Sequence, residues 1–231
     1  MQINNNQSEQ NLHDFANNYA VFGNLDTPWK SDPSSPYSLR QFNPSNSEDT
    51  QRLTDMDKNP NVLKFMGGDP SSAEDIDYLL NVKPFHEEDP RLIWAIVDTE
   101  NKLVGWIQFY EDEILPESIK NELSIPKHAL ILETSYCKLF KAWSDSNSFI
   151  DARTHFLQKE NLGVAYHGLR ESIAYFKALN ISASMPICIT AYTERGNIAS
   201  EKVLEKNGFK KVGITDYAIE DKDNNVWLLS L

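Results

Sequence analysis

Cysteine is scarce in this sequence, basic residues are outnumbered, and long apolar runs are missing; each shortage removes a class of protein. Only Cys137 and Cys188 occur in 231 residues, too few for a disulfide framework, and both fall in β-rich runs where a thiol acts as a small buried hydrophobe. No stretch approaches the ~20 consecutive apolar residues of a membrane span. The first basic residue, Lys30, has no apolar run before it, so no secretory leader is expected and a cytoplasmic location is. Lys and Arg number 22 against 34 Asp and Glu, a formal net charge of -12, without the basic clusters that grip a phosphate backbone, so nucleic acid is not an expected partner. The five histidines (His13, His86, His128, His155, His167) show neither His-Glu-x-x-His nor a Cys/His ligand spacing, and no metal site is expected.

What is present fits one globular domain: 40% of residues are hydrophobic and 24% charged, enough to build a substantial core. The acidic balance either draws a cationic substrate or serves only solubility. Residues 1–36 are rich in Asn, Gln and Ser and end in Asp32-Pro33-Ser34-Ser35-Pro36, the composition of a polar extension, although Phe15, Tyr19, Val21, Phe22 and Trp29 can dock it onto the domain or a partner subunit. The domain proper is expected over 37–231.

Within it, residues 37–42 alternate like a half-buried strand, and 45–57 follow with capping residues ahead of helical spacing. Asn59-Pro60 breaks that helix, and Ser71-Ser72 caps a second one. Runs at 92–97 and 103–110 flank the polar turn 98–102 and read as a hairpin. A further strand at 129–139 carries Glu133 in its middle, and an unpaired carboxylate there either faces an open site or has a structural partner. Residues 138–159 contain a cap and an amphipathic helical pattern, after which Leu169, Ile173 and Phe176 mark a long helix opening near Gly163. The clearest unit is 187–209: an apolar β run, a polar turn, Asn197 at an N-cap position, Ala199, Val203 and Leu204 on one helix face, and Gly208 as the stop with Phe209 packing back on Leu204. Runs at 209–219 and 226–231 close the chain as a hairpin.

The pattern Asn197, Ser200, Val203, Leu204, Glu205, Lys206, Gly208, Phe209 resembles the last core motif of the GNAT superfamily of acetyl-CoA-dependent N-acetyltransferases, and its Ser form is similar to the ribosomal-protein N-terminal acetyltransferase branch. Glu133 and Tyr136 match that superfamily's Glu-x-x-Tyr central strand, and Glu160-Asn161-Leu162-Gly163-Val164-Ala165 falls where its phosphate loop lies. The resemblance implies an α/β (α+β) fold with a mixed, mostly antiparallel sheet of about six to seven strands flanked by helices, interrupted before the phosphate loop by an extra insertion at about 138–159. It implies acetyl-CoA as co-substrate, bound by Tyr136, Cys137, Asn161, Leu162, Gly163, Val164, Ala165 and Asn197. It implies Glu133 as base, and Ser200, with Tyr192 behind it, as proton donor to the thiolate. The acceptor would be an amine-bearing small molecule or a protein N-terminus, shaped in part by Phe65 and Met66, and a homo-oligomer is compatible with the pattern.

Three positions depart from the family. Leu204 stands where many members carry the proton-donating tyrosine, Glu160 stands where a basic or amide residue is usual and would repel a phosphate unless it points away or the adjacent Lys159 compensates, and the insertion serves as lid, oligomer contact or surface excursion. Ser200 is open to a plainer role as a helix-start hydroxyl, and Asn197 to that of a simple cap. These departures leave a second expectation beside the enzyme, a catalytically impaired module that binds the coenzyme or a partner.

Overall fold

In the computed structural model, residues 25, 27–43, 45–58, 71–81, 91–138, 163–179, 186–215 and 223–231 are described, with Cys137 and Lys138 described by backbone alone. Strand β1 (Ser38–Arg40) leads to helix α1 (Ser47–Asp57), whose first turn is capped by Asn46 accepting from the Glu48 N–H at 3.0 Å. Helix α2 (Ala73–Asn81) opens with a reciprocal box, Ser72 Oγ accepting from the Asp75 N–H and Asp75 accepting from the Ser72 N–H. The hairpin read from sequence is β2 (Leu92–Val97) and β3 (Leu103–Glu111), followed by the short helix α3 (Glu117–Glu122), β4 (Leu130–Lys138), α4 (Val164–Ala178), β5 (Ile187–Glu194), α5 (Ile198–Lys206), β6 (Lys210–Thr215) and β7 (Asn224–Ser230). Helix α3 has no counterpart in the sequence reading.

The strands form one seven-stranded sheet in the order β1-β2-β3-β4-β5-β7-β6, antiparallel throughout except for β4 against β5. Period-two alternation sends side chains to two faces. One face carries Trp94, Phe109, Leu132, Ile189 and Ala191 against Leu169 and Phe176 of α4 and Leu204 of α5, with Phe109 and Phe176 meeting edge to face at 4.9 Å. The opposite face divides. At one end Ile93, Ala95 and Trp106 pack on α1 and α2, and at the other Cys188, Val226 and Leu228 pack on Leu115 and Ile119, at and beside α3.

Two local devices hold this arrangement. Arg40 forks onto Asp49 at 2.8 and 2.9 Å and donates through Nε to Asn101 at 3.0 Å, tying β1 to α1 and to the β2–β3 turn in a buried place. Residues 29–36, which composition places in the polar extension, run against α4: Trp29 Nε1 donates to the Glu171 carbonyl at 3.1 Å, the Ser31 N–H donates to the Glu171 carboxylate at 2.5 Å, and the Trp29 ring meets Tyr175 edge-on at 5.1 Å.

Candidate active site

Parallel pairing of β4 with β5 runs from Leu130 opposite Ile187 to Glu133 opposite Thr190 and stops there. Beyond that point β4 stays bound to β3 as far as Lys138 opposite Gly105, and β5 stays bound to β7 as far as Glu194 opposite Asn224. The sheet therefore opens between 134–138 and 191–194, and the residues named from sequence gather around that opening.

Glu133 lies at its lip on the face shared with α1, α2 and α3. Its Oε1 accepts from the Tyr110 hydroxyl at 2.5 Å, the register partner across β3. Burial pushes the Glu133 carboxyl up to about 7; the Tyr110 hydrogen bond pulls it down and the nearby Asp112 charge pushes it up again. The Arg91 guanidinium lies 5.8 Å from the centre of the Tyr110 ring. Asp112, buried, accepts from the Tyr192 hydroxyl at 2.8 Å, from the Ile114 and Leu115 N–H groups at 2.9 Å, and from Thr190 Oγ1. One register step further along, Gln108 Nε2 donates to Ser135 Oγ at 2.7 Å. A polar, half-buried strip thus separates the two apolar clusters of this face.

On the α4 and α5 face, the Tyr136 hydroxyl meets Ser200 Oγ at 2.7 Å and donates to the Ser200 carbonyl at 3.3 Å. Burial pushes the Tyr136 hydroxyl above its ordinary value and the Ser200 contact pulls it back. The Ser200 N–H donates to Asn197 Oδ1 at 3.3 Å, so Asn197 is the N-cap its spacing predicts. Leu204, one turn on, is fully buried in the apolar core. Tyr192 projects to the other face and spends its hydroxyl on Asp112, so the structure does not bring it together with Ser200.

Helix α4, which packs on β1, β3, β4 and α5, begins after Gly163. Gly163, at φ 96°, occupies the left-handed region, and a Cβ there would lie 3.2 Å from the His167 ring. Gly163 itself has no side chain to cap this terminus, and no acidic residue sits in its first turn. The first-turn N–H groups of Val164 and Ala165 lack intrahelical partners, as at any helix start, and carry the positive end of the helix dipole, which suits an anion such as a pyrophosphate. Asn161, Leu162, Glu160, the insertion, Phe65 and Met66 lie outside the described residues, as does the Cys137 side chain.

Tyr110, Asp112, Gln108 and Ser135 were not anticipated. The alternation of β3, with Ile107 and Phe109 inward, was enough to put Gln108 and Tyr110 on the Glu133 face; Asp112 required the tertiary fold. Among the described residues no group of three His, Cys, Asp or Glu could hold a metal ion, and no helix is long and apolar enough to cross a membrane.

A mostly antiparallel sheet opened between its two parallel strands, with a glycine-led helix packed on it, is the fold of the GNAT acetyltransferases. The chain belongs to the GNAT acetyltransferase family, since the model for the acetyltransferase (GNAT) domain matches residues 38–210. Similar solved structures include the ribosomal-protein-S5-alanine acetyltransferase of Vibrio fischeri, at 19% identity and TM-score 0.57 over 88% of this chain and 96% of that one. They also include the ribosomal L7/L12 alpha-N-protein acetyltransferase RimL in complex with coenzyme A, at 12% identity and TM-score 0.58 over 88% and 97%. The acetyltransferase AAC(6')-Ib, in complex with ribostamycin and coenzyme A, aligns at 12% identity and TM-score 0.58 over 85% and 94%. No curated relative matches the sequence.

Proposed function

We propose that the protein transfers the acetyl group of acetyl-CoA to a primary amine by direct attack, with Glu133 as the base. The observation that carries this reading is the position of Glu133 at the lip of the opening, with its carboxyl pushed up to about 7. The pyrophosphate rests on Gly163, Val164 and Ala165; the resemblance adds Asn161 and Leu162, which lie outside the described residues. The pantetheine arm follows β4 past Tyr136 and Cys137 and passes Asn197. The amine reaches the thioester carbon from the polar strip. Backbone N–H groups beyond Tyr136 meet the tetrahedral oxyanion, and such donors are commonly worth ~2.7 to 4 kcal/mol.

An α-amine, with an ordinary pKa of ~7.7 to 8.0, gives up its proton readily, whereas a lysine-type amine near ~10.4 needs more help. The solved relatives named above act on ribosomal proteins or bind an aminoglycoside, and both kinds of acceptor, a protein N-terminus and a small amine, suit an acidic strip. A cytoplasmic enzyme, with an oligomeric partner as a compatible arrangement, completes the reading.

Thiol release from acetyl-CoA measured across α-amines, lysine-type amines and aminoglycosides tests it. Saturable turnover on at least one class is expected, with Glu133→Gln losing more rate on lysine-type amines than on α-amines. Equal losses sink the base role of Glu133. Acetyl-CoA binding with no turnover on any amine selects the coenzyme-binding module instead, a reading favoured by Leu204 lying in the core where a donor hydroxyl is usual.

A further inference from the structure

The two faces of the opening carry different chemistry. The Glu133 carboxylate and Tyr110 lie on one face, and the Tyr136 and Ser200 hydroxyls lie on the other, with the gap between β4 and β5 separating them. A thioester held in that gap would have the carboxylate face on one side and the hydroxyl face on the other, a base for the amine and an acid for the sulfur. Helix α5 offers no acid at Leu204, which is wholly in the apolar core. From β4, however, Tyr136 reaches across to α5, and its hydroxyl stands beside Ser200 Oγ at 2.7 Å.

We infer that the Tyr136 hydroxyl is the proton donor to the departing thiolate, and that Ser200 positions it. This assignment rests on the acetyltransferase reading and moves the donor role from Ser200 to its neighbour. A phenol is intrinsically the more acidic of the two hydroxyls, ordinarily ~10 against about 15.7 for a water-like aliphatic hydroxyl; burial pushes Tyr136 above its ordinary value, and the Ser200 hydrogen bond pulls it back toward the thiol. Ser200 keeps a separate task. Its Oγ–H donates to the phenolate that the transfer creates, while its own N–H is fixed by Asn197 and its carbonyl holds the hydroxyl before transfer. The step balances: the nitrogen forms its bond to the acetyl carbon and gives a proton to Glu133, the carbon–sulfur bond breaks with its electron pair on sulfur, and sulfur takes the Tyr136 proton. Glu133 then releases its proton to solvent and the phenolate recovers one.

The test compares two donors. Against acetyl-CoA, Tyr136→Phe is expected to lower kcat by about 10², the usual lower bound for general-acid catalysis, with coenzyme A affinity by calorimetry held within a small factor. Against an acetyl aryl thioester such as S-acetyl-thionitrobenzoate, whose thiolate leaves without protonation, the loss in the variant is expected to shrink to a few-fold. Ser200→Ala, which leaves the phenol in place, is expected to lose less than Tyr136→Phe on acetyl-CoA. Equal losses of Tyr136→Phe on both donors, an unchanged kcat on acetyl-CoA, or a larger loss in Ser200→Ala each overturn the assignment. The wild-type rate on acetyl-CoA reports separately on the parent reading: a wild type that binds acetyl-CoA and acetylates no amine overturns both.

Discussion

At the scale of single residues, the burial of Glu133 costs stability and suits the base role proposed for it. Burial lifts its carboxyl from the ordinary 4.5 to about 7, so the folded protein holds that proton more tightly than the unfolded chain does. Between about pH 4.5 and 7 the native state therefore binds more protons than the unfolded state, and this residue's contribution to stability falls as pH rises through that window. Activity has the opposite sign, because the base must be ionised: kcat is expected to rise with pH to a plateau above about 7. The Tyr110 hydroxyl donates to the ionised form and pulls the carboxyl down, so Tyr110→Phe should move the rising limb to higher pH without abolishing it. Glu133→Gln should erase the limb and raise the melting temperature at pH 8, the signature of a group kept for chemistry. A pH–rate profile and a thermal melt on the three proteins check this, and a limb that stays in place in Tyr110→Phe counts against the pairing.

At the scale of elements, what was legible in the sequence is what local chemistry fixes. The Asn197 cap, the Gly208 stop at φ 87°, and the β2–β3 hairpin all follow from residues a few positions apart. The Gly208 and Phe209 N–H groups bond back to Glu205 and Leu204 at 3.0 and 3.1 Å, as a glycine-terminated helix requires. Less legible were contacts made across long sequence separations. Nothing near Asp112 in the chain announces Thr190 and Tyr192, and nothing near Arg40 marks it as the buried partner of Asp49 rather than an exposed strand residue. The Tyr136–Ser200 pair likewise spans 64 positions, so the two appeared in sequence as unrelated candidates.

The seat of α4 on the sheet shows how tight one such contact is. A Cβ on Gly168 would stand 3.0 Å from Ile96 Cγ1 and closer still to its Cδ1, and Ile96 is wholly buried. Replacing a mid-helix glycine by alanine ordinarily gains about 1 kcal/mol of helix propensity. Overpacking a filled core costs about 1–3 kcal/mol. With Ile96 unable to swing into solvent, the second effect prevails, and Gly168→Ala should lower the denaturant midpoint. Because the proposed pyrophosphate site lies at the start of α4, coenzyme affinity should weaken in the same variant. A midpoint at or above wild type would show that α4 sits more loosely on β2 than the geometry implies.

At the scale of the whole molecule, the net charge of -12 acts on both substrates, with opposite signs. In the proposed reaction coenzyme A is a polyanion, so the protein's net field opposes its approach, while the positive end of the α4 dipole and the first-turn N–H groups favour it. A cationic amine is attracted, and the strip it approaches adds Glu133 and Asp112 to that field. Salt screens both effects over a Debye length of ~8 to 10 Å. Raising ionic strength should therefore lower kcat/KM for a polycationic acceptor and raise it for acetyl-CoA. For a peptide whose only charge is its α-amine, the dependence should be shallow. Measuring kcat/KM for each substrate across a salt series thus separates the acceptor classes without knowing the acceptor: steep opposed slopes mark a polyamine or aminoglycoside type of substrate, and a shallow acceptor slope marks a protein N-terminus. Slopes of the same sign for acetyl-CoA and a polycation would mean that the acidic surface plays no part in choosing the substrate and serves solubility alone.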